Sequence, residues 1–222
     1  MSEILSHYTN EFRSGRDVSP YDAEAVFAEM ISSFMFAPRF HSLSPVLAAA
    51  RRRVQTPTVF NNVGPLCNPA AASHHVIGVW NNSLVRKTAR VLTRLGSERS
   101  WIVYGTDGLD EISLTTPTNI AEIDGNSIRE FTVTAADFGV GSIDGDLPLN
   151  CTAEQSSAII RSVLSNEMPG RDAENLVLIN AAAAIYVAGR TGSLTEAFGA
   201  ARTSIRDGSA AEKLRQIANL SI

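Results

Sequence analysis

The chain has 222 residues, 44% of them apolar and 19% charged, the make-up of an ordinary globular protein of one large or two small domains. That excludes a disordered tail and a disulfide mini-protein, because at this length folding buries roughly 70% of the surface an unfolded chain exposes and a core forms without metal or disulfide staples. Nineteen Lys and Arg against 23 Asp and Glu give a formal charge of −4, so no basic field is present to attract nucleic acid or anionic lipid.

The longest near-unbroken apolar run, Ile179 to Val187, is interrupted by Asn180 and falls short of the roughly 18 residues that a membrane span needs. No charged and apolar leader follows Met1, so the expected setting is the cytoplasm. Cys67 and Cys151 are far apart and form neither a CxxC nor a metal-ligand spacing; they read as small apolar fillers kept as thiols.

In chain order, Ile4, Leu5, Tyr8 and Phe12 recur at helical spacing, and Ser19-Pro20 restarts a helix whose apolar stripe is Ala23, Val26, Phe27, Met30 and Ile31. Val46 to Arg53 predicts a short helix with a basic end, suited to the negative end of the helix dipole. Thr58-Val59-Phe60 reads as a strand entering the turn-rich run Asn61 to Asn68. His74-His75 then precede a buried strand over Val76 to Trp80, Asn82 or Ser83 caps a helix through Leu95, and Trp101 to Tyr104 is the next strand. This alternation predicts parallel pairing. Ile120–Ile123 and Ile128–Val133 flank Asp124-Gly125-Asn126 as a hairpin, an antiparallel addition. The expected fold is α/β, a mixed and mostly parallel central sheet flanked by helices. Three later helices start at capping-box patterns: Thr152 with Gln155, Ser193 with Glu196, and Ser209 with Glu212.

The sharpest chemical feature is Gly105-Thr106-Asp107-Gly108-Leu109-Asp110-Glu111, directly after a strand. Ligands of open α/β sheets bind at the carboxyl ends of strands, and Asp110 with Glu111, Asp107 nearby, suits Mg²⁺ held by one or two carboxylates with water and phosphate completing the octahedron. A solvated acidic turn is the competing reading of the same spacing. Phe60 to Pro69, with Gly64-Pro65 inside it, suits a stiff pocket wall or a purely structural turn. Among Arg51, Arg52 and Arg53, which point in different directions on a helix, one or two can face a carboxylate or phosphate, against a solvated basic face. The histidines, at 41, 74 and 75 among others, lack zinc spacing.

Together, Phe34-Met35-Phe36-Ala37-Pro38 with His41, the block Thr58 to Pro69, Asp107-Gly108-Leu109-Asp110-Glu111, Asp137-Phe138-Gly139 and Asn180-Ala181-Ala182 resemble the anthranilate phosphoribosyltransferases in order and approximate spacing. The resemblance implies a remnant N-terminal helical domain at residues 1–33 and an α/β phosphoribosyltransferase-type domain at 34–222. It also implies a pentosyl transfer in tryptophan biosynthesis, from phosphoribosyl pyrophosphate to anthranilate. By the same resemblance Mg²⁺ is the cofactor, held at Asp110 and Glu111; Arg51 takes the anthranilate carboxylate, Gly64 and Pro65 lie beside its ring, and no enzyme nucleophile is required. The family's Gly-Thr-Gly-Gly-Asp loop, Asn-x-Ser-Thr segment and Lys-His stretch occur nowhere in the 222 residues, and Ile31-Ser32-Ser33 runs directly into Phe34. Ser42 and Asn150-Cys151 stand where the family commonly has Pro and Gly-Gly. The expectation is an internally deleted member, weak or inactive alone, with a non-catalytic binding remnant as the alternative. The apolar stripe of the second helix, short of neighbours, implies a homo-oligomer, in the simplest case a homodimer.

Overall fold

The computed structural model describes residues 53–54, 56–66, 72–145, 147 and 151–220. The expected helical segment 1–33, His41, Arg51, Arg52 and the Cys67–Pro69 end of the turn-rich block lie outside them. The chain divides into two compact units, one of Met1–Thr56 with Ser209–Ile222 and one of Pro57–Gly208. In the first, a helix runs over Ser209–Leu220, with Gln216 Nε2 donating to Glu212 Oε1 one turn earlier at 3.1 Å. The second holds the sheet and everything that follows.

It starts with helix α1 (Val59–Leu66), where a strand was expected from Thr58-Val59-Phe60. The β-branched and aromatic residues favour an extended chain locally, but Asn61 Oδ1 reaches back to the Thr58 N–H at 3.0 Å while the Asn61 N–H bonds the Thr58 carbonyl. That reciprocal closure is half of a capping box and starts a helix. Strand β1 (His74–Gly78) includes the two histidines expected to precede it, and helix α2 (Asn82–Arg94) follows. The cap of α2 is Asn81, one residue earlier than expected: its extended backbone lets Oδ1 accept from Ser83 N–H at 2.9 Å. Gly96, at φ +87°, ends the turn after α2.

Strand β2 (Arg99–Gly105) pairs parallel with β1, as a crossover helix allows. Strands β3 (Thr118–Asp124) and β4 (Ser127–Val133) follow, and the sheet order is β1-β2-β3-β4. Both β2–β3 and β3–β4 are antiparallel. The sheet is mixed, as expected, but among the described strands parallel pairing is confined to β1–β2. The cause is the connection: no helix lies between β2 and β3, so the chain turns back along its neighbour. At the β3–β4 hairpin Gly125 takes φ +57° at the first turn position, which a II′ turn requires.

Helix α2 covers one face of the sheet. Val85, Ala89 and Leu92 form a buried cluster with Ile77, Ile102, Ala121 and Ile123. By strand alternation Trp101 points to the other face, where its ring meets Tyr186 at 5.4 Å. Tyr186 belongs to helix α4 (Asp172–Val187), which follows α3 (Ala153–Leu164) and precedes α5 (Leu194–Arg206). Trp101 is buried, and its Nε1–H donates to Glu122 Oε1 at 2.9 Å while Arg129 reaches Glu122 Oε2 at 2.8 Å. The indole, the carboxylate and the guanidinium thus satisfy one another. The capping box at Thr152 and Gln155 forms in full. At α5, Ser193 Oγ accepts from Glu196 N–H, whereas the Glu196 carboxylate turns to the Gly192 N–H.

Candidate functional site

The acidic segment is a loop that leaves the carboxyl end of β2 and re-enters at the start of β3. Its ends are held together: Gly105 faces Thr118 in the strand register, and Thr106 N–H donates to the Pro117 carbonyl at 3.0 Å. Gly105 N–H bonds the Leu109 carbonyl and Gly108 N–H the Gly105 carbonyl, both at 2.9 Å. Gly108 sits at φ +95°, a conformation that side chains disfavour. Ile112 and Leu114 are wholly buried and anchor the far limb, while Asp110 and Glu111 remain exposed.

Asp107 is a staple within this loop. Its Oδ1 accepts from Leu109 N–H at 3.2 Å and its Oδ2 from Ser113 Oγ–H at 2.5 Å. Ser113 Oγ in turn accepts from Thr115 and Thr116 N–H, each at 3.1 Å, and Ser113 N–H donates to Thr118 Oγ1 at 2.9 Å. Partial desolvation pushes the Asp107 carboxyl up, but the bonds from Ser113 and Leu109 outweigh it and hold the carboxyl below its ordinary value. A depressed folded pKa contributes stability that is present above the unfolded value, near about 4, and is lost as pH falls through the folded value. Amide exchange at Leu109, compared with that at buried α4 amides, is therefore expected to lose protection on acidification below about pH 4, and Asp107→Asn should remove that pH dependence. An Asn variant with the same acid profile as the parent would contradict the staple.

Two contacts from outside fix the loop. Gly78, the last residue of β1, lies against the Asp110 backbone so closely that a Cβ there would drive into the Asp110 carbonyl. On the other side Asn180 of α4 accepts from Ile112 N–H through Oδ1 at 2.9 Å and donates through Nδ2 to the Ile112 carbonyl at 3.1 Å. Neither contact was read from the sequence, although each left a trace. An isolated glycine closing a buried strand signals a close backbone approach, and a lone asparagine in an apolar helix needs a polar partner.

Asp110 and Glu111 carry no ion-pair partner among the described residues. Partial desolvation raises the Glu111 pKa, and the neighbouring Asp110 charge raises it further. Among the described residues no group of three or more His, Cys, Asp and Glu converges. A closed zinc or calcium cage is therefore not built among them, whereas two unpaired, mutually repelling oxygen donors fit Mg²⁺, which keeps most of its waters.

Gly64 and Pro65 lie on α1, Gly64 half-buried and Pro65 exposed. Asn62, two residues before Gly64, docks α1 by exchanging side-chain hydrogen bonds with the buried Thr88 of α2, at 3.1 and 3.2 Å. The expected turn at Gly64-Pro65 is thus helical. The described residues place these two positions and the acidic loop on separate elements. A cavity of about 290 Å³ lies between the far limb of the loop, at Leu114–Pro117, and the Thr134–Ile143 segment; neither Asp110 nor Glu111 lines it.

The described sheet is thus mixed, with the acidic loop at the carboxyl end of its inner strand β2. The chain belongs to the glycosyl transferase family, a/b domain, which it matches over residues 16–211. The chain is 42% identical over 206 residues to the anthranilate phosphoribosyltransferase of Nitrosomonas europaea, covering 92% of this chain and 60% of that protein. A second relative, from Alkaliphilus metalliredigens, is 39% identical over 205 residues with the same coverage. The chain thus spans about 60% of the length of the curated relatives it matches. Among solved structures, anthranilate phosphoribosyltransferase from Thermus thermophilus superposes with a TM-score of 0.64 at 31% identity, over 77% of this chain and 50% of that one. The Saccharomyces cerevisiae enzyme in complex with PRPP and Mg gives a TM-score of 0.65 at 25% identity, over 77% and 49%.

Proposed function

We propose that this chain is the α/β part of an anthranilate phosphoribosyltransferase, and that its acidic loop is the Mg²⁺-holding element. The observation that carries the reading is the loop itself. Asp110 and Glu111 are exposed and without cationic partners among the described residues, at the carboxyl end of an inner strand and on a backbone braced from two sides. The similarity to a protein solved with PRPP and Mg supplies the ligand class.

The reaction breaks the bond between ribose C1 and pyrophosphate, forms a bond from C1 to the anthranilate amine, and releases a proton from that amine. Bound Mg²⁺ supplies positive charge against the leaving pyrophosphate. The chain contributes position: Arg51 receives the anthranilate carboxylate in a bidentate pair, and Gly64 and Pro65 offer a surface to the ring. No covalent intermediate with the protein is needed, so the contribution of these residues is orientation. The same reading makes the protein a cytoplasmic homo-oligomer, in the simplest case a homodimer, without nucleic-acid or membrane partners. Among the described residues no helix is long and apolar enough to cross a membrane.

A second reading, a binding remnant without turnover, is favoured by one observation, the absence of Gly-Thr-Gly-Gly-Asp from the 222 residues. The metal element is tested apart from turnover by titrating the chain with Mn²⁺ and following free Mn²⁺ by electron paramagnetic resonance. Saturable uptake is expected in the parent and a loss of tenfold or more in affinity, on the order of 1.4 kcal/mol, in Asp110→Asn and Glu111→Gln. Equal affinity in all three would overturn the assignment.

A further inference from the structure

We infer that Asn180 is a positioning residue for the metal-holding loop: its amide, projecting from α4, sets where Asp110 and Glu111 stand and thereby sets metal affinity. The inference rests on the reading of that loop as the Mg²⁺ element. Its own basis is geometric. Asn180 grips both polar groups of a single backbone residue, Ile112, one position after Glu111, and its Nδ2 also donates to the Leu176 carbonyl at 3.0 Å. The bond to Leu176, one turn earlier on α4, removes the freedom of the amide to swing, so the side chain acts as a fixed fork. Ile112 is wholly buried, and within the loop's hydrogen bonding its N–H and carbonyl both terminate on Asn180. Without the fork those two groups are stranded out of water.

Glu111 is joined to Ile112 by a planar peptide, so a shift at Ile112 moves the Glu111 backbone directly. Gly78 constrains the same loop at Asp110. Two fixed points therefore hold this stretch, β1 at the Asp110 backbone and α4 at Ile112 just after Glu111, and only the second is a side chain that substitution can remove without adding bulk. The hydrogen bonds of the Asn180 side chain all go to the backbone of Ile112 and Leu176, which separates its role from that of the two carboxylates.

The test uses the full chain with Asn180→Ala and Asn180→Asp, amide exchange read by NMR and Mn²⁺ uptake read by electron paramagnetic resonance. Alanine suits a helix that continues through Ala181–Ala184, and protected amides at Leu178 and Ile179 report whether α4 stays folded. The expected result for Asn180→Ala is exchange at Ile112 faster by tenfold or more, unchanged protection at Leu178 and Ile179, and Mn²⁺ affinity weaker by tenfold or more. Asn180→Asp keeps an acceptor for the Ile112 N–H but loses both Nδ2 donations and sets a carboxylate against two carbonyl oxygens, so it should restore only part of that protection. Unchanged exchange at Ile112 in Asn180→Ala would overturn the fork. Faster exchange with Mn²⁺ affinity within twofold of the parent would overturn the link to metal binding. A parent that takes up no Mn²⁺ would sink the metal reading, while Ile112 exchange would still decide whether Asn180 holds the loop.

Discussion

Gly78→Ala is expected to lower stability by about 3 kcal/mol, the upper part of the usual range for forcing extra atoms into a packed site. For a chain of this size that corresponds to a fall of about 6–12 °C in Tm. The methyl group would meet the Asp110 carbonyl, a backbone atom that cannot rotate away as a side chain would. Either the strand end or the whole acidic loop must move, so the variant should also lose Mn²⁺ uptake. Gly64→Ala is the matched control: nothing lies within 4 Å of the added carbon, and alanine in a helix gains about 0.5–1 kcal/mol over glycine. Calorimetry of the two variants decides the point. Equal melting temperatures would show that the loop does not rest on β1 as described.

The purified chain is expected to form phosphoribosyl anthranilate at least about 10³-fold more slowly than the 1 per second or faster usual for enzymes. Loss of anthranilate fluorescence follows the reaction. Carboxylates that hold a metal leave the far side of the pyrophosphate without donors, and the backbone N–H groups of a glycine-rich loop are what cradle such anions. Removing one preorganised donor costs about 10²–10³ in rate elsewhere, and here an entire loop type is absent from the 222 residues. Turnover near 1 per second would show that the residues present suffice.

Much of this architecture is written locally. The hairpin across Gly125-Asn126, the box at Thr152 and Gln155, and the stop at Gly96 rest on interactions within a few residues, and pattern reading finds such interactions. The acidic loop was legible for the same reason, since glycine, aspartate and the preceding apolar strand are contiguous. Thr58-Val59-Phe60 misleads because side-chain preference and a single capping bond from Asn61 point to different structures, and the bond wins. The antiparallel return of β3 was hidden by the alternation before it. What holds the loop left only a trace in the sequence: Gly78 acts by having no side chain, and Asn180 acts on a residue 68 positions away. The motif supplies the carboxylates, and distant packing gives them a place.

That separation of 68 positions between Ile112 and Asn180 orders events during synthesis. The β2–β3–β4 segment makes its contacts between chain neighbours, and hairpins of this kind close in about 1–10 μs. Helix α4 is still unmade at that moment. At about 5–20 residues per second a ribosome needs about 3–14 s to add 68 residues, so for that interval the Ile112 amide of the nascent chain has no fork to meet. The loop gains its second brace only when α4 arrives, so the final placing of Asp110 and Glu111 is a late event that waits for the sheet-and-helix unit to be completed.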